Sequence, residues 1–169
     1  MSEDHAFDPR AILAELERAR VGYVVIGSLA RVLQGSDEIA RGVDVCPQLR
    51  GDNLRRLDKA LHELEARPEN GTGELDLEPF AKGEPVMVLT TAGPLRFVPV
   101  PAGTRGGWDD LRRAASREAL GGGLRVPVAS LNDLLRMEAA LARPDHPHIA
   151  AQLRQLQELE RTAGRGLER

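Results

Sequence analysis

Residues 23–47 read YVVIGSLARVLQGSDEIARGVDVCP, and the punctuation of this stretch decides the fold. The run Tyr23 to Ile26 is β-branched and aromatic, apolar on both faces, and bounded by Gly22 and Gly27, the pattern of an interior strand. Gly27-Ser28 then turns the chain into a short helix through Leu33, with Ser28 placed to cap it and Gly35 to stop it. A second strand, Val43 to Cys46, ends at Pro47, which has no N–H to give to a central ladder. Asp44 is the one acid on that strand. A lone carboxylate between core positions needs a partner, so Asp44 asks for a functional reading.

The flanking sequence fills in the domain. Asp8-Pro9 is an N-cap followed by a proline at the first helical position, and Ile12, Leu13, Leu16 and Ala19 mark one face of a helix running to about Arg20. Downstream, Asp52 is placed to cap a helix whose Leu54, Leu57, Leu61 and Leu64 form one stripe, ended by Arg67-Pro68; His62 falls off that stripe and reads as solvated. Glu69 to Pro85 carries Asn70-Gly71, Gly73, Pro79 and Gly83, the composition of a long irregular surface connection, in which Asp76 and Glu78 alternate with leucines as in a small edge strand. Pro85 to Thr90 and Leu95 to Val98 read as a strand pair, Trp108 to Ala115 as a helix, and Glu118 to Leu120 with Leu124 to Val128 as a hairpin across three glycines. Ser130, with Asp133 three residues on, opens a helix to about Ala142. After the break at Pro144 to Pro147, a last helix places Ile149, Leu153, Leu156 and Leu159 on one side. There is no internal repeat and no low-complexity tract. This order predicts an α/β (α+β) fold: a mixed sheet flanked by helices over residues 1–129, a helical C-terminal part over 130–162 packed on it, and a frayed tail over 163–169.

Bulk composition narrows the partners. The chain has 169 residues, 41% of them hydrophobic, enough for one domain with a real core. A formal charge of -3 gives no global basic field, so nucleic acid is not the default partner. The 21 arginines against 2 lysines suit bidentate anion recognition and equally a coding bias toward arginine. Cys46 is the only cysteine, which excludes an internal disulfide and points to a reducing compartment. The N-terminal residues lack the basic start and apolar run of a secretory leader, and no segment approaches the roughly 18 to 20 apolar residues of a membrane span. A cytoplasmic protein without a membrane partner is expected.

Four groups of residues could carry chemistry. The Gly27-Ser28 turn offers backbone N–H groups and partial positive charge to a phosphate, although such turns also serve close packing and capping. His146 and His148, flanking Pro147, could bind a softer metal with Cys46 or Asp145, but lack further ligands at a recognisable spacing, so a solvated loop is the stronger reading and no metal is assigned. Ser28, Ser36, Ser116 and Ser130 all have turn or capping readings, and no catalytic triad is legible. Arg55-Arg56 and Arg112-Arg113 could touch RNA or acidic partners, but five aromatic residues in the whole chain give little for base stacking, and solvated helix faces explain them better.

The run from Tyr23 to Pro47, followed by NLRRLDKALHEL, LTTAGPLRFVPVPAGTRGGWDDLRRAA and VPVASLNDLLRMEAALARP, resembles bacterial minimal nucleotidyltransferases of the abortive-infection toxin type, over about Tyr23 to Leu159. The resemblance implies that Gly27 and Ser28, with Arg31 and Arg41 nearby, hold the phosphates of a nucleotide. It also implies an Asp-x-Asp pair on the next strand and a third acid from a later strand, together holding two magnesium ions. Residues i and i+2 of a strand share a face, which is the spacing two metals about 3.5 to 4 Å apart require. Against that pattern, Asp44 takes the place of the second acid, Gly42 that of the first, and Arg96, in Gly93-Pro94-Leu95-Arg96, that of the third. The family's threonine two residues before the first acid is Ala40, and a lysine of the later helix is Glu138, whereas Arg143-Pro144 matches the family's helix end.

The reading that follows is a nucleotidyltransferase-like pseudoenzyme with Asp44 as a remnant acid, degenerate acid positions at Gly42 and Arg96, and no resident metal or cofactor. Asp44 is then expected to pair with Arg96 across adjacent strands, joined by Arg41. Such a protein would bind a nucleotide or other phosphate-bearing ligand through Gly27, Ser28, Arg31 and Arg41, or a protein partner. The alternative is an active enzyme that uses Mg²⁺ and a nucleoside triphosphate to modify RNA, protein or a small molecule, as part of a toxin-antitoxin defence system. It requires substitute acids, from Asp37 and Glu38 or from Asp76 and Glu78.

Overall fold

A computed structural model describes residues 6–71 and 73–167. Helix α1 (Pro9–Arg18) starts where the sequence places it: the Asp8 side chain accepts a hydrogen bond from the Ala11 N–H at 3.2 Å, and Ile12, Leu13 and Leu16 are fully buried. Strand β1 (Tyr23–Ile26) is buried at every position, as a strand covered on both faces must be. It leads into α2 (Gly27–Leu33), whose cap position is Ile26, with no side-chain cap bond; Ser28 therefore sits inside the first turn instead of capping it. Strand β2 (Val43–Pro47) runs antiparallel to β1, with Tyr23 opposite Pro47 and Ile26 opposite Asp44. Pro47 is thus the last paired residue of the strand.

Helix α3 (Gly51–Glu63) also lacks a side-chain cap, and Asp52 lies in its first turn. Buried Asn53 has a role that sequence reading passed over. Its Oδ1 accepts from the Gly22 N–H at 2.6 Å, and its Nδ2 donates to the carbonyls of Gly22 at 3.0 Å and Gln48 at 2.7 Å, tying the start of β1 to the end of β2. These bonds satisfy backbone groups that burial would otherwise strand.

Beyond a two-residue strand β3 (Arg67–Pro68), the connection contains a short helix α4 (Glu78–Ala81) in place of the expected edge strand. The reason is Phe80, which is 1% exposed and packs edge-on against Phe97 with ring centroids 5.6 Å apart. A helical turn points that ring inward while Glu78 and Lys82 stay in solvent. Strands β4 (Val86–Thr90) and β5 (Gly93–Phe97) pair antiparallel, α5 (Trp108–Leu111) is a single turn shorter than its sequence signal, and β6 (Ser116–Gly121) and β7 (Leu124–Val128) form the hairpin. Ser130 caps α6 (Leu131–Leu141), its side chain accepting from the Asp133 N–H at 3.1 Å. The last helix, α7 (Pro147–Leu167), continues past Ala163, where fraying was expected.

The seven strands form one sheet in the order β3-β4-β5-β2-β1-β7-β6. It is mixed: β2 and β5 are parallel, β1 and β7 are parallel, and the other neighbours are antiparallel. β2 holds the centre, with Val43, Val45 and Cys46 fully buried. Helices α1 and α3 pack on each other, α2 packs on β1, β2 and α6, and α6 packs on α7. Each fully buried Leu, Ile, Val or Phe contributes about 1.5 to 3 kcal/mol, so the paired central strands are the most strongly anchored part of the chain. No helix is long and apolar enough to cross a membrane among the described residues.

Candidate functional site

The parallel pairing of β2 with β5 sets Asp44 directly opposite Arg96. Side chains of neighbouring residues at matched register project from the same face of a sheet, and here they meet: Arg96 Nη2 donates to Asp44 Oδ2 at 2.9 Å. The pair anticipated from sequence is therefore formed. Arg41 does not join it. Its side chain is exposed and has no hydrogen-bond or ion-pair partner among the described residues.

The antiparallel pairing of β2 with β1 brings the Gly27 turn over the same carboxylate. Gly27 has φ +70, and a Cβ built on it would lie 2.6 Å from Asp44 Oδ2. Only glycine lets the backbone pass this close at a left-handed φ. Gly42, two residues before Asp44, has no positive φ, and a Cβ there would meet Pro94 at 3.4 Å, an ordinary contact. The backbone thus tolerates a side chain at 42; the sequence supplies none.

These residues open onto a cavity of about 480 Å³. Its polar lining is Gly27, Ser28, Arg31, Asp44, Arg96, Glu138 and Arg143. Its apolar lining comes from Pro85, Val98, Val100 and Pro101 on the β4 and β5 side and from Leu134, Met137 and Leu141 of α6, the helix that also carries Glu138. The volume lies in the range of small-molecule sites, about 300 to 1,000 Å³.

The cations of the polar lining are differently committed. Arg31 is nearly buried, and its fork is taken by Glu38, with Nε to Oε2 at 2.8 Å and Nη2 to Oε1 at 2.9 Å; Glu138 lies 4.0 Å from its Nη1. Burial pushes the Glu38 carboxyl up, but hydrogen bonds from Arg31 and Ser36 and the charges of Arg31 and His148 outweigh it and hold Glu38 below the usual carboxylate range. Arg143 likewise gives both arms of its fork to buried Glu138, Nε donating to Oε1 at 3.1 Å and Nη2 to Oε2. Ala142 makes this possible, because its left-handed conformation, φ 47 and ψ 51, ends α6 and turns Arg143 back toward the helix. A contact five residues apart across a helix end has no periodic signature, so sequence reading missed it. Arg96 is the exception in this lining: 47% of its side chain is exposed, and one of its five N–H groups is spent, on Asp44.

Glu38 and Asp37, weighed as substitute acids, are occupied. The Ser36 hydroxyl donates to Glu38 Oε2 at 2.9 Å and lies 3.0 Å from Gln152 Oε1, and Gln152 Nε2 donates to Asp37 Oδ1 at 2.7 Å, so this loop is bolted to α7. Neither they nor Asp76 and Glu78 line the cavity. Among the described residues, no group of three or more His, Cys, Asp or Glu side chains could hold a metal ion. His146, just before α7, and His148, in its first turn, are exposed and meet edge-on at 5.8 Å, while Cys46 is buried, its thiol pushed up to about 12 by burial and then by Asp110. The donor set beside Asp44 does not fit a pair of hard divalent cations: it offers one carboxylate, already bound to a guanidinium.

Comparison with solved structures settles the architecture. The lincosamide antibiotic adenylyltransferase LnuA, in its lincomycin-bound crystal structure, is similar with a TM-score of 0.60 at 14% identity, over 89% of this chain and 98% of that one. The antibiotic-resistance factor ANT(2'')-Ia, in complex with adenylyl-2''-tobramycin, gives 0.56 at 17% identity, over 95% and 96%. The candidate nucleotidyltransferase TM1012 from Thermotoga maritima gives 0.52 at 17%, over the full length of both chains. The fold is a nucleotidyltransferase fold. At these identities the likeness carries architecture alone. No protein-family profile and no curated protein matches the chain.

Proposed function

We propose that this chain is a nucleotidyltransferase-like binding protein that does not carry out two-metal transfer. Its cavity would hold a nucleotide or another phosphate-bearing ligand without magnesium. The observation that supports this reading is the Asp44–Arg96 pair at 2.9 Å: a guanidinium lies against Asp44, and the cavity's other carboxylate, Glu138, is held by Arg143, whereas a metal-dependent transferase needs free acids. Gly27 and Ser28 remain at the cavity wall for contact with an anionic group. Arg31 and Arg41 are weaker candidates than the sequence pattern suggested, since Glu38 occupies the first and the second does not line the cavity.

Calorimetric titration with a nucleoside monophosphate, with and without Mg²⁺, followed by incubation with labelled nucleoside triphosphate and bulk RNA, tests this reading. Binding indifferent to Mg²⁺ and no label transfer are the expected results. Absence of any nucleotide or phosphate binding would move the weight to a protein partner. A second reading, transfer of a nucleotide to a small molecule, draws on the two antibiotic-modifying neighbours of the same fold. It requires Mg²⁺-dependent label transfer that Asp44→Ala abolishes.

A further inference from the structure

We infer that the cavity takes a molecule with a single anionic head group on an apolar body, the head held by Arg96 and the body lying along Val98, Val100, Leu134, Met137 and Leu141. This rests on the metal-free binding reading above and names the class of ligand.

Hydrogen-bond capacity identifies the head group's seat. Of the three arginines lining the cavity, Arg31 and Arg143 give two N–H groups each to a carboxylate, leaving little for a ligand. Arg96 keeps four N–H groups uncommitted among the described residues, on a half-exposed side chain at the cavity wall. Planar forks of this kind bind carboxylate, sulfonate and phosphate oxygens.

Charge limits the head to one such group. Arg31 with Glu38, Arg143 with Glu138 and Arg96 with Asp44 are three matched pairs, so the wall has no surplus positive charge for a polyphosphate. Further anionic groups would face Asp44 and Glu138, and repulsion in a partly desolvated cleft is costly.

The apolar lining explains the body. Val100 and Leu141 are 54% and 51% exposed, large apolar surfaces that a soluble domain leaves in water mainly where something covers them. Both line the cavity. A ribose triphosphate would leave this surface wet, whereas an aromatic or aliphatic body would cover it.

The probe is 1-anilinonaphthalene-8-sulfonate, one sulfonate on an aromatic body, compared with its uncharged counterpart N-phenyl-1-naphthylamine. Both are titrated by fluorescence into the full chain, with circular dichroism confirming that each variant is folded. The sulfonate should bind one per chain, and Arg96→Gln should weaken it about tenfold or more, since one charge-assisted contact is worth about that factor, while leaving the uncharged probe unchanged. Leu141→Ser, at an exposed position where folding is not at stake, should weaken both probes. If Arg96→Gln does not fold, Arg96→Lys, which keeps the charge but loses the fork, takes its place and should weaken the sulfonate probe alone. Equal sulfonate affinity in wild type and variant, or binding of many probes per chain, overturns the inference. So does tight metal-free ATP binding that the sulfonate probe does not compete with, a result that leaves the metal-free binding reading standing; Mg²⁺-dependent transfer would instead remove that reading.

Discussion

At the scale of single residues, the site is governed by how closely Gly27, Asp44 and Arg96 approach one another. The turn at Gly27 passes over Asp44 so tightly that a methyl group would sit 2.6 Å from its carboxylate oxygen, at a φ of +70. Gly27→Ala should therefore destabilise the chain by at least about 1 to 3 kcal/mol, read from urea unfolding, and should weaken ligand binding as the turn shifts off Asp44. Glu38 makes a second prediction. Its folded pKa lies below the ordinary glutamate value, so its ionised form stabilises the native state. That contribution is complete above the ordinary value and is lost as pH falls through the lowered folded one. Urea midpoints measured from about pH 6 to about pH 3 should fall on acidification, and Glu38→Gln should flatten that slope. An unchanged slope in the variant would place the acid sensitivity elsewhere. The place of Asp44 on an interior strand was legible in the sequence because strand spacing is local. Glu138 with Arg143 was not, because the contact depends on the left-handed Ala142, a conformation that no residue type there announces.

At the scale of elements, the segment from 69 to 85 carries more than its composition suggests. Its glycines and prolines mark a loop, yet Phe80 anchors it as a buried ring against Phe97 on β5, one residue from Arg96. Phe80→Ala should cost about 3 to 5 kcal/mol by chemical denaturation, a loss that a surface loop would not show. A cost below about 1 kcal/mol would mean the segment is not docked. β1 and the ends of β2 were readable from their bounding glycines and proline, and the caps at Asp8 and Ser130 from residue chemistry. Helix α4 escaped because alternating Leu75, Leu77 and acids mimic a strand over a few residues, and the deciding residue, Phe80, acts through a tertiary contact. The continuation of α7 beyond Ala163 escaped for the opposite reason: residues 161–165 are exposed, so no apolar stripe marks them.

At the scale of the whole molecule, sheet order makes the site. Placing β2 between antiparallel β1 and parallel β5 delivers the Gly27 turn from one side and Arg96 from the other to the same carboxylate. Helix α6 then closes the cavity with an apolar face and a buried acid. The mixed sheet and helical end follow from the order of sequence signals, but strand order does not, since β5 reaches β2, and β7 reaches β1, only through long-range pairing. The proposed function turns on reading Arg96, paired with Asp44, as the replacement of an acid that metal-dependent transfer would need. Crystals grown with a non-hydrolysable nucleoside triphosphate and soaked in Mn²⁺ test it by anomalous scattering. The prediction is an intact Asp44–Arg96 pair with no Mn²⁺ peak within ligand distance, about 2.0 to 2.3 Å, of Asp44. Two Mn²⁺ peaks beside Asp44, with Arg96 swung away, would contradict it.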